Sequence, residues 1–338
     1  MEMKENLRIA LNSELNEYRS IPFWSWNNNL DEAELEKQIE DMKAAGIGGF
    51  IIHARTGLKE EYLGEKWFSC VKTCLKKAED LDMKAWIYDE NGWPSGFAGG
   101  KLLENEDFRA RFLEYSEGAF DDCSYVCYIE TAEGYKRITE KQAGVNKYHN
   151  IYLRVSPANT DILNPHVTDA FINSTHEKYY QRFKKSFGKE LAGFFTDEPQ
   201  YYRWATPYTP YIEDAFKRNG EDVKDGLIWL FKHDERGYSF RQKYYSEMNR
   251  LYCENFYGKI HDWCKKHGCK LTGHSVEENT LWAQMWGGAE VMSSYDREDI
   301  PAIDNLGRIC SSELAVKQAA SVAGQLGKKR ILTETFGC

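Results

Sequence analysis

The chain has 338 residues, 42% of them apolar and 14% aromatic, which is enough to bury a sizeable core. Its 44 basic residues face 53 acidic ones, a formal net charge of 44 − 53 = −9. An acidic chain with no basic block is a poor candidate for binding nucleic acid or an anionic membrane surface. The first twenty residues are charged throughout, and no apolar run is long enough to span a bilayer, so a cytoplasmic location is expected. Nine cysteines form no paired framework and read as reduced thiols.

Taken in order, the elements alternate. Ile21–Trp26 is a short aromatic run that reads as strand 1. Asp31 and Glu34 form a capping box, and Leu35, Ile39 and Met42 follow at helical spacing until Gly46. Gly48–Ile52 reads as strand 2, ending on His53 and Arg55. Trp67, Val71, Leu75 and Ala78 give the next amphipathic helix. Lys84–Tyr88 reads as strand 3, ending on Asp89 and Glu90. Short links between such units predict a parallel sheet with right-handed crossovers.

The rhythm then breaks. From about 112 to 155 the sequence alternates and carries turn signals, which predicts a small antiparallel insertion after strand 3. Phe171, Thr175, Tyr179, Phe183 and Phe187 predict one helix with a single packed stripe. Leu191–Thr196 reads as strand 4, ending on Asp197-Glu198 before Pro199 stops the ladder. A long helix is expected from about 239 to 267. Strands 5, 6 and 7 are read at Lys270–Gly273, Glu290–Ser294 and Arg330–Thr333, with Ser311 or Ser312 capping the helix before the last. The fold class is therefore α/β: a single (β/α)8 TIM-type barrel over 1–338, incomplete at about seven strands.

The acids collect where such barrels place their chemistry, at the carboxyl ends of strands. Glu198 and Glu334 end strands 4 and 7, roughly opposite across the mouth. One protonated and one ionised carboxyl group is what cleavage of a glycosidic bond requires. His53, Arg55, Asp89, Glu90, Asp197, His274 and Asp296 are candidates for holding sugar hydroxyls. Trp24, Trp26, Trp93, Trp204 and Tyr295 are candidate stacking surfaces for the C–H faces of a sugar. The run from Gly92 to Gly100 reads as a tight turn that brings Trp93 over the site.

Two other readings fit some of these residues. A metal-dependent barrel hydrolase could use His53, Asp89, His274 and Asp296, although Trp24-Ser-Trp26 stands where such barrels open with a His pair. A non-catalytic carbohydrate-binding barrel would also show the aromatics.

Several motifs are long enough to be specific. Pro22-Phe-Trp-Ser-Trp-Asn27, Gly48-Gly-Phe-Ile-Ile-His-Ala-Arg-Thr-Gly57, Tyr88-Asp-Glu-Asn-Gly-Trp-Pro-Ser-Gly96 and Phe194-Phe-Thr-Asp-Glu-Pro199 resemble the catalytic barrel of glycoside hydrolase family 106. These are α-L-rhamnosidases and their relatives. Ile300–Gly307 and Thr333–Gly337 continue the likeness, which runs from about Ile21 to the last residue. The resemblance implies a carbohydrate substrate and an inverting mechanism, with Glu198 as acid and Glu334 as base. It implies a calcium ion near the bound sugar, although the sequence itself requires no cofactor and assigns no metal ligands. It also implies β-sandwich domains after the barrel, so the expectation is a truncated barrel that lacks its strand 8.

Overall fold

The structure is a computed structural model that describes residues 15–202, 204–288, 290–307 and 313–335. Strand β1 (Phe23–Trp26) leads to a helix, Glu32–Ala44, then β2 (Gly49–Ala54), a second helix, Glu65–Asp80, and β3 (Lys84–Asn91). The first helix begins as its capping residue dictates: the Asp31 carboxylate accepts the Glu34 N–H at 2.9 Å. Leu35 and Ile39 then face the sheet and are buried.

After β3 the chain leaves the barrel for an antiparallel excursion, β4 (Arg109–Gly118), β5 (Val126–Thr131), β6 (Gly134–Ile138) and β7 (Tyr148–Thr160). It returns through two helices, Pro165–Ser174 and His176–Phe183, to β8 (Leu191–Asp197). The stripe from Phe171 to Phe187 is thus split. Thr175 adopts φ −124° and ψ −78°, which ends one helix before the next begins. A short β9 (Thr206–Tyr208) follows, and then a long helical stretch over Tyr238–Lys266 that includes a π segment, Cys253–Gly258. The chain finishes with β10 (Lys270–His274), β11 (Ile300–Asn305), the helix Glu313–Gln325 and β12 (Leu332–Thr335).

Seven strands form one parallel sheet in the order β1-β2-β3-β8-β10-β11-β12. It curls as a partial barrel whose edge strands are β1 and β12. A cavity of about 620 Å³ is lined by residues of both edges, Phe23 and Leu332 among them. The excursion makes a second, antiparallel sheet in the order β6-β5-β7-β4-β9. It is larger than the 112–155 expected, because β4 begins at Arg109, β7 ends at Thr160, and β9 is added from a segment beyond β8.

Alternation sorts the barrel into two cores. Phe50, Ile52, Ile87, Phe194 and Leu271 point outward, where the helices cover them. Ile51, Trp86, Tyr88, Phe195 and Ile300 fill the lumen, with Phe23 and Leu332 against them. The strands approach closely at glycine: a Cβ on Gly193 would stand 2.0 Å from the Lys270 carbonyl oxygen. No larger residue fits there without moving a strand.

The expected strand at Glu290–Ser294 is not one. Met292–Arg297 is a short helix, and the sixth barrel strand is β11. Pro301 stands within β11 although a proline cannot donate to a ladder. It is in register with Gly273 of β10. The serine cap expected at Ser311 or Ser312 lies outside the described residues.

Candidate active site

Register sets the site. In parallel strands, paired residues point to the same side of the sheet. Asp197 of β8 is level with His274 of β10, and Asp304 of β11 is level with Glu334 of β12. Four polar side chains therefore top adjacent strands, just above the layer of Tyr88 and Phe195.

His274 is the centre of this layer. It is buried, and its Nε2 lies 2.8 Å from a Glu334 oxygen and 3.3 Å from an Asp197 oxygen. Burial disfavours a charged ring, but the Glu334 hydrogen bond and the charges of Asp197, Glu278 and Glu198 outweigh it. The His274 pKa lies well above the usual value, so the ring is cationic at neutral pH. Asp197 also accepts the Tyr88 hydroxyl at 2.5 Å. Burial raises the Asp197 pKa, opposed by His274 and Tyr88.

Glu198 follows the strand in a left-handed conformation, φ +44°, uncommon for any residue but glycine. Its N–H donates to the His274 carbonyl at 3.1 Å, which turns the chain and directs the side chain into a pocket of about 320 Å³. The same pocket is lined by Trp93, Glu277, Glu278, Asp304 and Leu306. The Trp93 indole donates to the Glu198 carboxylate at 2.7 Å. Burial pushes the Glu198 pKa up to about 7, with Asp197 adding to the rise and His274 and Trp93 opposing it. At neutral pH Glu198 is thus about half protonated, while Glu334 sits in an ion pair with an imidazolium.

Trp93 is held where the sequence expects it, by Glu90. The Glu90 carboxylate accepts the N–H groups of Asn91, Phe97, Ala98 and Gly99 at 2.5–2.8 Å, fastening the glycine-rich loop. Asp89 points the other way, accepting the Ser95 hydroxyl at 2.6 Å with His176 3.5 Å away. The structure therefore places Asp89 and Glu90 in the support of the loop rather than on the pocket wall.

The other candidates divide. His53 is buried and stacks on Tyr88, ring centroids 3.5 Å apart. Burial first and Arg55 second lower its pKa to about 3, and neither of its ring nitrogens has a hydrogen-bond partner among the described residues. A neutral ring with two unused nitrogens is equipped to bind a hydroxyl. Arg55 is exposed at the end of β2 and Trp204 is 66% exposed beyond β8.

Four candidates lie elsewhere. Trp24 and Trp26 point outward and pack on Phe50 and Trp67, because Phe23 and Ser25 hold the inward positions of β1. A shift of one residue in reading a strand exchanges its faces. Tyr295 and Asp296 belong to the helix Met292–Arg297 instead of a strand end. Asp296 is half exposed beside Arg297. Tyr295 is buried, and its hydroxyl donates to Glu278 at 2.6 Å.

Two residues went unnoticed in the sequence. Asp304 is the penultimate residue of β11, an apolar run reaching an acid much as β8 ends on Asp197. Glu278 accepts the N–H groups of Asp304 at 2.8 Å and Ser275 at 3.3 Å, tying the ends of β10 and β11 together. No local pattern marks it, since its role depends on two strands far apart in sequence.

At this site two sets bring possible ligand atoms within 4.8 Å of one another, Asp197, His274 and Glu334, and Glu198, His274 and Asp304; a third set among the described residues, Asp121, Asp122 and Cys123, lies on the excursion. Calcium takes about 6–8 oxygen ligands. Each of the two sets at the site offers two carboxylates and shares the His274 ring, so neither set alone supplies the oxygen ligands that calcium takes.

A scan against protein-family models finds no match, and neither does a search of curated proteins. Among solved structures, the chain is similar to a rhamnosidase from Novosphingobium sp. PP1Y, with a TM-score of 0.70 at 13% identity. The fold is rhamnosidase-like. The likeness covers 97% of this chain and 53% of that one, so the chain spans about half the length of the rhamnosidase. In this chain the fold is a curled parallel sheet carrying an antiparallel one. No described helix is long and apolar enough to cross a membrane.

Proposed function

We propose that the chain carries the catalytic barrel of a glycoside hydrolase that removes a terminal deoxyhexose, in the manner of an α-L-rhamnosidase. The observation that carries this is the unlike setting of two carboxyl groups around one histidine: Glu334 is hydrogen-bonded to His274, while Glu198 is buried in the pocket and held by Trp93. Glu198, pushed up to about 7 by burial, keeps a proton to give to the leaving oxygen. Glu334, hydrogen-bonded to the cationic His274, is the ionised partner that takes a proton from water. Placed on opposite sides of the anomeric carbon, these roles give inversion. The proton from water goes to Glu334, and the proton on Glu198 goes to the departing alcohol.

His274 holds Glu334 in place and offsets the charge of Asp197 beside it. Asp197 orients that ring and receives the Tyr88 hydroxyl. His53, neutral and without a hydrogen-bond partner among the described residues, and Asp304, half-buried with one oxygen unpartnered among them, are the hydroxyl-binding groups. Trp93 closes one wall and fixes the carboxyl group of Glu198.

The test is turnover of 4-nitrophenyl α-L-rhamnopyranoside. Glu334→Gln is expected to lose about a thousandfold or more in kcat, the upper part of the range for general acid–base groups. Glu198→Gln is expected to lose somewhat less, because nitrophenol leaves with little protonation. Full activity in both variants would overturn the assignment.

A further inference from the structure

Ser95 is buried behind the acid pocket and is not one of the residues that line it. It follows Trp93 by two residues in the loop that Glu90 fastens. Its position answers a gap in the sheet. β3 pairs with β8 from Ala85–Leu191 to Tyr88–Phe195, whereas β10 stays paired with β8 as far as His274–Asp197. At Asp197, the side of β8 that faced β3 has lost its strand neighbour. Ser95 takes that place. Its N–H donates to the Asp197 carbonyl at 2.8 Å, and its hydroxyl oxygen accepts the Asp197 N–H at 2.8 Å.

The next N–H, that of Glu198, goes to the opposite neighbour, the His274 carbonyl. The turn at Glu198, φ +44°, is thus gripped from both flanks. A left-handed residue other than glycine persists only where its surroundings over-determine it. Asp89 fixes which way the Ser95 hydroxyl points. The hydroxyl donates to the Asp89 carboxylate at 2.6 Å, which leaves a lone pair for the Asp197 N–H. Asp89 is itself buried, with the buried His176 ring 3.5 Å from its other oxygen. None of Ser95, Asp89 and His176 lines the pocket.

We propose that Ser95, oriented by Asp89, is a positioning residue that holds the Asp197-Glu198 turn and so keeps the Glu198 carboxyl group against Trp93 in its pocket. The proposal rests on the reading of Glu198 as the acid. Ser95 reaches both partners of that 2.7 Å contact, Trp93 through the loop and Glu198 through the Asp197 backbone. Losing its hydroxyl leaves the Asp197 N–H without that acceptor in a buried place, and the turn relaxes to find another.

The experiment follows the Trp93 indole N–H by ¹H–¹⁵N NMR through a pH titration of the full chain, with the resonance assigned by its loss in Trp93→Phe. Because the indole donates to Glu198, its shift steps as Glu198 titrates, near pH 7 in the parent. Ser95→Ala is expected to shrink that step and to move its midpoint down by about one pH unit, because a carboxyl group released from the pocket regains water. On 4-nitrophenyl α-L-rhamnopyranoside the same variant is expected to lose about ten- to a hundredfold in kcat with KM little changed, the range for a misplaced reacting group. Ser95→Cys keeps the side chain's size but accepts weakly, and it is read in the same way should Ser95→Ala not fold. Ser95→Thr keeps the hydroxyl and should keep the step and its midpoint. A Ser95→Ala or Ser95→Cys chain that is less stable yet shows the parent's step and midpoint overturns the proposal, since Ser95 then only supports the loop. A parent whose indole shows no step overturns it as well, because Trp93 and Glu198 are then not held together. A parent with the step, lost in Ser95→Ala, that hydrolyses no aryl rhamnoside leaves the hold on Glu198 standing and removes the catalytic reading.

Discussion

Asp89-Glu90 ends β3 and Asp197-Glu198 ends β8, and these strands are neighbours in one sheet. In sequence the two pairs look alike, an apolar strand stopping on two acids. In the structure they differ in what fills their lone pairs. Glu90 accepts four backbone N–H groups and is spent on fastening a loop. Glu198 accepts one indole N–H and otherwise faces a pocket. Both acids have a pKa pushed up to about 7 by burial, so the shift alone does not separate them. What separates a support from a reagent is which groups its oxygens already serve.

The comparison can be broken first at the reagent. If Glu198 and Glu334 act as a pair, Glu198→Gln and Glu334→Gln combined should cost less than the product of the single losses, measured as kcat on an aryl rhamnoside. Once either proton transfer is gone, the other has little left to assist. Strict multiplication of the two losses would show that they act independently.

At the support, Glu90→Gln is expected to cost about 2–3 kcal/mol of stability, because an amide offers one acceptor oxygen and turns its NH₂ toward backbone donors. Chemical denaturation reads this directly. Activity should fall with it, since the loop carries Trp93. A Glu90→Gln variant with unchanged stability but no activity would reverse the two roles.

The link between the two regions is Trp93. Its hydrogen bond lowers the Glu198 pKa, so Trp93→Phe should move the alkaline limb of the kcat/KM profile upward from its starting point near 7. The rate itself should fall about tenfold through lost orientation of the carboxyl group. A downward move of the limb would contradict the assignment of the acid.

A purely pH-dependent effect belongs to the excursion. Asp161 is buried, and burial raises its pKa to about 7, against hydrogen bonds from Thr209 and Leu163 that lower it. The native state keeps this proton while the unfolded chain releases it near the ordinary 3.8. Stability from Asp161 is therefore complete below that value and is lost as pH rises toward and through 7. Asp161→Asn carries no such charge, so the stability gap between parent and variant should shift in favour of the variant from pH 4 to pH 8, by roughly 3–4 kcal/mol at about 1.4 kcal/mol for each pH unit between the two values.

How much of this was legible follows from how local each signal is. The strand at Leu191–Asp197 and the capped helix after Asp31 are written in adjacent residues, and the sheet's parallel order follows from the alternation of elements. Six of the seven barrel strands and an antiparallel excursion were readable, while the strand at Ile300–Asn305 was passed over for a more strand-like run at Glu290–Ser294. The faces of β1 were not readable, because Trp24 and Phe23 are equally apolar and only the packed lumen decides which turns inward. Glu198, Glu334, His274 and Trp93 do meet in one region. Asp304 and Glu278 join them through register and tertiary hydrogen bonds, which no single stretch encodes.

The most direct measurement is the titration of the Glu198 carboxyl carbon by ¹³C NMR, with its resonance assigned by its loss in Glu198→Gln. It requires no knowledge of the sugar. A midpoint near 7 is the expected result, with Glu198 holding a proton at neutral pH as a general acid must. A midpoint near the ordinary 4.5 would leave Glu198 ionised at neutral pH and contradict its role as the acid.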